Sequence, residues 1–341
     1  MIVADPTDPV RTPSAVAETW RDAMRDAIRD PIELCRSLQL PPHFEQAAIR
    51  ASRRFPLFVP RPYLQRIRPG DIHDPLLRQV LPLEDELADV PGFTQDPVGD
   101  MLAKQESGIL QKYQARVLVI ATGACGINCR YCFRRHFPYA EIPKLSRHAM
   151  KWVEEIQRDS SIEEVILSGG DPLTLVDAQL ATLMDKLSTI PHIRRVRFHT
   201  RMPIVIPSRV TDELCRWLTC HRPTSVMVVH SNHPNELDMH VESALKRLAG
   251  AGVLLLNQSV LMRGVNDDVD ILAELSRRLL DCRVVPYYLH QLDRVAGAAH
   301  FEVPLERGIQ LVQQLRVRMA GYGVPRFARE VAGQASKEVL A

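Results

Sequence analysis

From about residue 115 onward, short β-branched runs alternate with amphipathic stretches. The runs begin near Arg116 (RVLVIAT), Glu164 (EVILSGG), Arg195 (RVRFHT), Ser225 (SVMVVHS), Val253 (VLLLNQS) and Arg283 (RVVPYYLHQ), and their composition and bounding turn residues predict strands. After the first, they recur roughly every 30 residues, the length of a βα unit. Apolar positions at helical spacing predict intervening helices at Arg147–Arg158, Val176–Ser188, Thr211–Leu218, Asn235–Ala249, Val269–Leu280 and Pro304–Met319. Alternating units need a parallel sheet, which right-handed crossovers lay out as an open doubly wound sheet or curl into a barrel. Six units fit a partial (βα)6 barrel, an α/β fold.

The first hundred residues are Pro-rich and irregular. Val16, Trp20, Met24, Ile28 and Leu34 lie near helical spacing and predict one helix over Pro13–Leu38, with its Arg and Asp pairs on a solvated face. Residues 56–82 (PLFVPRPYLQRIRPGDIHDPLLRQVLP) resemble a strap that docks on a body and does not fold alone. The expected division is an N-terminal, mainly helical and irregular extension over 1–105, the barrel over 106–322 and a short C-terminal segment over 323–341.

Polar and glycine residues gather just after the strands, at Ser168–Asp171, His199–Arg201, His230–His233, Asn257–Ser259 and His290–Asp293. In parallel α/β folds that rim binds ligands, so five such segments predict one shared site. A net charge of +2 argues against nucleic-acid binding. No apolar run is long enough to span a bilayer, and the N-terminus carries no secretory h-region, so a cytoplasmic protein is expected. Seven cysteines without a leader argue against a disulfide framework, and three of them fall within eight residues.

Those three, Cys125, Cys129 and Cys132 in ACGINCRYCFRR, follow the first strand of the series. Three thiolates on one tight loop suit zinc or an iron–sulfur centre. A zinc site normally pairs C-x2-C with a second such pair, and Cys215 and Cys220 have the wrong spacing for one. A [4Fe–4S] cubane with three protein ligands leaves one iron open to a small molecule. Gly126 and Asn128 tolerate positive φ and are expected to help the loop wrap a cluster. The turn Ser168-Gly169-Gly170-Asp171 lets backbone approach a ligand and leaves carbonyls to accept from an ammonium.

The cysteine spacing directly after a first βα strand resembles the radical S-adenosylmethionine superfamily. DPLLRQVLP, CRYCFRRHF, EVILSGGDPL, SNHPNEL, LNQSVLMRGVND and VVPYYLHQLD, spread over about residues 70–337, are similar to the lysine 2,3-aminomutase family in particular. The resemblance implies an isomerase that uses a [4Fe–4S] cluster, S-adenosyl-L-methionine and pyridoxal 5′-phosphate to convert L-α-lysine to β-lysine through a 5′-deoxyadenosyl radical. Carried over residue by residue, it implies that Lys337 bonds the pyridoxal aldehyde, and that Lys112, Tyr113 and Arg116 bind its phosphate group. Tyr131, Ser168, Gly169, Gly170, Asp171, His230 and Gln258 would surround S-adenosylmethionine. Arg134 would pair the substrate carboxylate, and Asp293 and Glu330 the ε-ammonium.

The family's catabolic members have Asp where this chain has Glu330, a cysteine where it has Asp268, and a zinc-binding tail beyond the position of Lys337; no zinc is expected here. The VPRFARE segment and the FPLFVPRPYLQRIRPGD strap resemble the short members that make (R)-β-lysine for modification of elongation factor P. That resemblance implies a functional link to the factor and its lysyl ligase, and a reducing partner such as a flavodoxin; a homo-oligomer stays open. Two other readings remain: an aminomutase for another amino acid such as glutamate, which Asp293 and Glu330 would repel, and a non-catalytic iron–sulfur protein.

Overall fold

The computed structural model describes residues 18–103, 109–141 and 145–341. Its centre is a nine-stranded sheet whose order follows the chain: β1 (Ile109–Tyr113), β2 (Arg116–Thr122), β3 (Glu164–Gly169), β4 (Arg195–Thr200), β5 (Thr224–Val229), β6 (Leu254–Val260), β7 (Val285–His290), β8 (Arg326–Arg329) and β9 (Glu338–Val339). β2 to β8 run parallel, and antiparallel β1 and β9 flank them. No strand order reverses, as it would in a doubly wound sheet. The six expected strands are β2–β7, and the parallel run continues through an unforeseen seventh.

Helices α1 (Trp20–Arg25), α2 (Pro31–Ser37) and α3 (His43–Arg54) precede the sheet. Helices α4 (Leu145–Arg158), α5 (Asp177–Ser188), α6 (Asp212–Thr219), α7 (Met239–Gly250), α8 (Val269–Asp281) and α9 (Leu305–Arg318) alternate with the strands. The single helix expected over Pro13–Leu38 is instead broken. Asp30 caps α2 by accepting from the Ile32 amide at 2.9 Å, Pro31 follows without an N–H to continue α1, and Ile28 pairs with Val59 as an isolated bridge. The start of that predicted helix, and the boundary expected at residue 105, lie outside the described residues.

Strand register sorts the side chains onto two faces. One face carries Val117, Val119, Val165, Leu167, Val196, Phe198, Met227 and Val229, all buried in the main core. The other carries Ser168, Arg197, His199, Gln258, Tyr288 and His290 along with aliphatic residues, so the face lining the barrel interior is the polar one. The N-terminal extension shares the main core, through Ala23, Leu34, Tyr63, Leu76 and Leu77. Among the described residues no helix is long and apolar enough to cross a membrane.

Candidate active site

The cysteine loop leaves the end of β2, and the strap over 56–82, with Phe55 and Glu86 just beyond its ends, clamps it. The Asn128 amide donates to Phe58 O at 3.0 Å, and its side chain to Pro56 O at 3.0 Å. The Arg130 amide donates to Gln79 O at 2.9 Å. The Arg130 guanidinium forks onto both Glu86 carboxylate oxygens at 2.8 and 2.5 Å, and Arg135 reaches the second of them at 2.6 Å. Phe55 lies under both guanidinium groups, 4.9 and 4.7 Å from their central carbons. All three charged side chains are at most 1% exposed. Neither Gly126 nor Asn128 adopts the positive φ expected of it. Gly126 is required for space, since a Cβ there would collide with Met202 Sδ.

Burial raises the Cys125 thiol well above its ordinary range, followed by the charges of Cys132, Asp171 and Cys129. Cys132 is pushed up to about 11 by burial and by Cys129. The thiols therefore lie within one another's field, and a bound cation would reverse that repulsion. Among the described residues no three His, Cys, Asp or Glu side chains group on one ion. A single zinc needs its sulfurs gathered at about 2.3 Å from one centre, whereas a cubane takes one thiolate per iron and spreads them. Three thiols on one loop, each within another's field, are the donor set that a cubane takes, one thiolate to an iron.

At the end of β3 the Gly-Gly turn is tied into the loop. Gly169 has φ +115°, and at Gly170 a Cβ would collide with the Ala124 carbonyl. The Gly170 amide donates to Thr122 O and that of Asp171 to Ala124 O, both at 2.7 Å. The Gly169 carbonyl, expected to be free, accepts from the Tyr139 hydroxyl at 2.7 Å. Asp171 likewise departs from expectation. Its carboxylate accepts from the Leu173 amide, Thr200 Oγ1 and the Arg201 and Met202 amides, at 2.6–3.1 Å. It is filled by the chain and staples the ends of β3 and β4 together.

Inside the barrel, Gln258 Nε2 donates to His230 Nε2 at 2.9 Å. Burial drives His230 and His290 down to about 3, and nearby cations push the same way, so both rings are neutral. His199 stands edge-on to His230 at 5.8 Å, and its buried Nε2 has no partner among the described residues. An orphaned buried nitrogen in a polar lining fits a bound ligand. Tyr131 accepts from Asn232 Nδ2 at 2.7 Å and stands edge-on to Phe301.

The remaining candidates form an ion-pair chain. Arg134 donates to Ser168 Oγ at 3.1 Å and to Asp100 Oδ2 at 2.6 Å. Lys112 lies 2.5 Å from Asp100 Oδ1 and 3.2 Å from Glu330 Oε1. Lys337 donates to Glu330 Oε2. Burial raises the Glu330 carboxyl, but Lys337 and Lys112 outweigh it and hold the group at about 2. Asp293, deeper and without so close a cation, is pushed up to about 7 by burial, with Lys337 opposing and Glu330 reinforcing. Asp293 and Glu330 open on a cleft of about 800 Å³, and Arg134 and Asp100 on a neighbouring one of about 350 Å³. The Arg116 guanidinium stacks 4.5 Å from the Tyr113 ring centre, at the opposite end of β2 from the cysteines. Asp100 escaped the sequence reading because DPVGD has no periodicity and its partners are remote in the chain. Arg201, which the sequence placed only in the rim segment His199–Arg201, and Glu236, which it placed only in SNHPNEL, are both buried beside the loop.

The Radical SAM superfamily pattern matches residues 119–275. L-lysine 2,3-aminomutase of Haemophilus influenzae is 44% identical over 95% of this chain and 96% of its own length. The enzyme of that name from Escherichia coli is 44% identical over 97% and 96%. That of Clostridium subterminale is 35% identical over 93% of this chain and 76% of its own length. These kinships imply a [4Fe–4S] cluster, S-adenosylmethionine and pyridoxal phosphate, and the three free thiols on one loop, the orphaned His199 nitrogen and the acid-held amine of Lys337 fit them. The chain belongs to the L-lysine 2,3-aminomutase family, isomerases of the radical S-adenosylmethionine superfamily.

Proposed function

We propose that the protein converts L-α-lysine to β-lysine, moving the amino group from Cα to Cβ. The observation that carries this reading is the chain of charge from Arg134 through Asp100, Lys112 and Glu330 to Lys337, with Asp293 buried beside its end. When bound, the cluster and S-adenosylmethionine supply a 5′-deoxyadenosyl radical, and pyridoxal phosphate supplies an aldehyde and a π-system that stabilises the substrate radical.

The protein's own residues do the holding. Cys125, Cys129 and Cys132 would hold the cluster, one thiolate to an iron, and the cluster would supply an open coordination place to S-adenosylmethionine. Ser168, Gly169, Gly170, Tyr131, His230 and Gln258 surround S-adenosylmethionine, and Asp171 braces that wall from behind. The neutral imidazoles offer hydrogen bonds there without placing a second cation beside the sulfonium. Lys337 bonds the aldehyde, with Lys112, Tyr113 and Arg116 on the phosphate side. Arg134, whose planar fork suits a carboxylate, exchanges Asp100 for the carboxylate of the substrate. Asp293 and Glu330 receive the ε-ammonium, and two acids in a partly dry cleft would repel a glutamate side chain.

The finer reading is an (R)-β-lysine product used to modify elongation factor P, in a cytoplasmic setting with a flavodoxin-like reductant. The strap and VPRFARE segments support it. The division into 1–105, 106–322 and 323–341 belongs to the same proposal. Anaerobic incubation of reconstituted protein with lysine, S-adenosylmethionine and dithionite, followed by chiral analysis, is expected to yield (R)-β-lysine. Faster rearrangement of glutamate, or no 5′-deoxyadenosine with any amine, would refute the assignment.

A further inference from the structure

Arg201 directly follows β4 and is 5% exposed. Its Nη1 donates to Cys129 Sγ at 2.8 Å. Its Nη2 donates to Gln79 Oε1 at 2.6 Å and Glu236 Oε2 at 3.0 Å, with the Tyr63 hydroxyl at 3.4 Å. The guanidinium lies 5.4 Å from the Tyr63 ring centre and 5.7 Å from that of Tyr131, and the Arg201 amide is fixed on Asp171 Oδ2 at 2.6 Å. Gln79 in turn donates to Glu236 Oε1 at 3.0 Å, so the holders hold each other. The fork is gripped along one edge by the strap and by the turn after β5, and the opposite nitrogen meets a sulfur.

A guanidinium this deep in the protein needs compensating negative charge. Glu236 supplies one, Nη1 is given to the sulfur, and Nε is buried without a partner among the described residues. We propose that Arg201 is a positioning residue that tunes the cluster: its hydrogen bond to Cys129 stabilises the extra negative charge gained on one-electron reduction, and Gln79, Tyr63 and Glu236 aim it. This rests on the cluster ligation proposed above. Hydrogen bonds to cluster sulfurs and net local charge set the reduction potential, and screening is weak in so buried a place. The electron comes from an external one-electron donor, no proton moves, and Arg201 stays cationic in both states. Glu236 partly offsets the guanidinium, so the two side chains must act with opposite sign.

The test is a redox titration of the reconstituted full chain, followed by electron paramagnetic resonance, with iron and sulfide assayed alongside. Arg201→Gln is expected to keep the parent's iron content while the ratio of reduced to oxidised cluster at the parent's midpoint falls about tenfold, a downward shift of about 59 mV for one electron. Arg201→Lys, which retains charge and donor, is expected to regain most of that shift. Glu236→Gln is expected to move the midpoint upward, and it decides the matter if Arg201→Gln does not fold. An unshifted midpoint in Arg201→Gln at full iron content, or a downward shift in Glu236→Gln, overturns this proposal alone. A parent protein that takes up no iron overturns the ligation reading and this proposal with it.

Discussion

Two acids, the buried Glu86 and the partly buried Glu330, each bind two cations, and they are built differently. Both Glu86 oxygens are filled by the guanidinium groups of Arg130 and Arg135, with all three side chains at most 1% exposed and Phe55 stacked against the two arginines. Every partner is rigid and belongs to the protein. Glu330 holds the flexible amines of Lys112 and Lys337, which are 20% and 27% exposed, at the lip of a cleft. The first cluster is closed and fixes the cysteine loop. The second is open, and its charges are of the kind that a substrate or cofactor replaces. Ion-pair count does not separate them; access and the stiffness of the cationic partner do.

The sharpest division between the two comes from Lys337→Ala. It is expected to abolish turnover and any pyridoxal absorbance band while leaving the iron–sulfur absorbance intact, because Lys337 sits on the C-terminal segment with its amine on Glu330, outside the clamp. If the pyridoxal band persisted, the open cluster would not be the cofactor site.

Glu86→Ala leaves two buried guanidinium groups without their counter-charge. It is expected to lower unfolding stability by about 3–5 kcal/mol, read in denaturant titrations. Glu330→Gln removes a partner from two partly exposed amines and is expected to cost about 1 kcal/mol or less, with a large loss of lysine turnover. Equal destabilisation by both would erase the distinction.

Asp293 sharpens the comparison through pH. With its carboxyl raised to about 7, it is protonated below that value and cannot pair an ammonium. Lysine binding favours the ionised form, so kcat/KM for lysine is expected to fall as pH drops through 7, approaching about tenfold per unit. Asp293→Asn should remove that limb of the profile. Glu330, held at about 2, should leave no limb in this range.

The smallest effect is expected at the surface pair Arg329–Glu338, 2.6 Å apart with side chains 43% and 47% exposed. Arg329→Ala should change stability by about 0–1 kcal/mol. A larger loss would mean that the C-terminal segment depends on this pair more than on its backbone ladder.

Much of the architecture could be read from the chain, because β2 to β7 are runs of branched residues separated by a regular interval. β1 (ILQKY), β8 (RFAR) and two-residue β9 were missed, since so few residues carry no period and form only by pairing with a sheet already there. The break between α1 and α2 was signalled by Asp30-Pro31, a cap followed by a first-turn proline. At the site, spacing revealed the cysteines and resemblance gathered Lys337, Glu330 and Asp293. Neither could reveal that Asp171 spends its carboxylate on backbone amides, or that Asp100 occupies the fork of Arg134. Those facts depend on residues tens of positions apart meeting in space.

The two-residue strand β9 has a mechanical consequence. Glu338 and Val339 pair with Arg329 and Ala328, and Phe327 exchanges backbone hydrogen bonds with Leu340 and Ala341. Lys337 is thus aimed by a zipper that begins one residue after it. Side chains alternate along a strand, so a single-residue slip of that zipper would swing the amine to the outside of the wall while leaving the fold intact. Inserting one glycine between Lys337 and Glu338 keeps the zipper in register but displaces the Lys337 amine from Glu330, and is expected to remove the pyridoxal band with little change in unfolding stability.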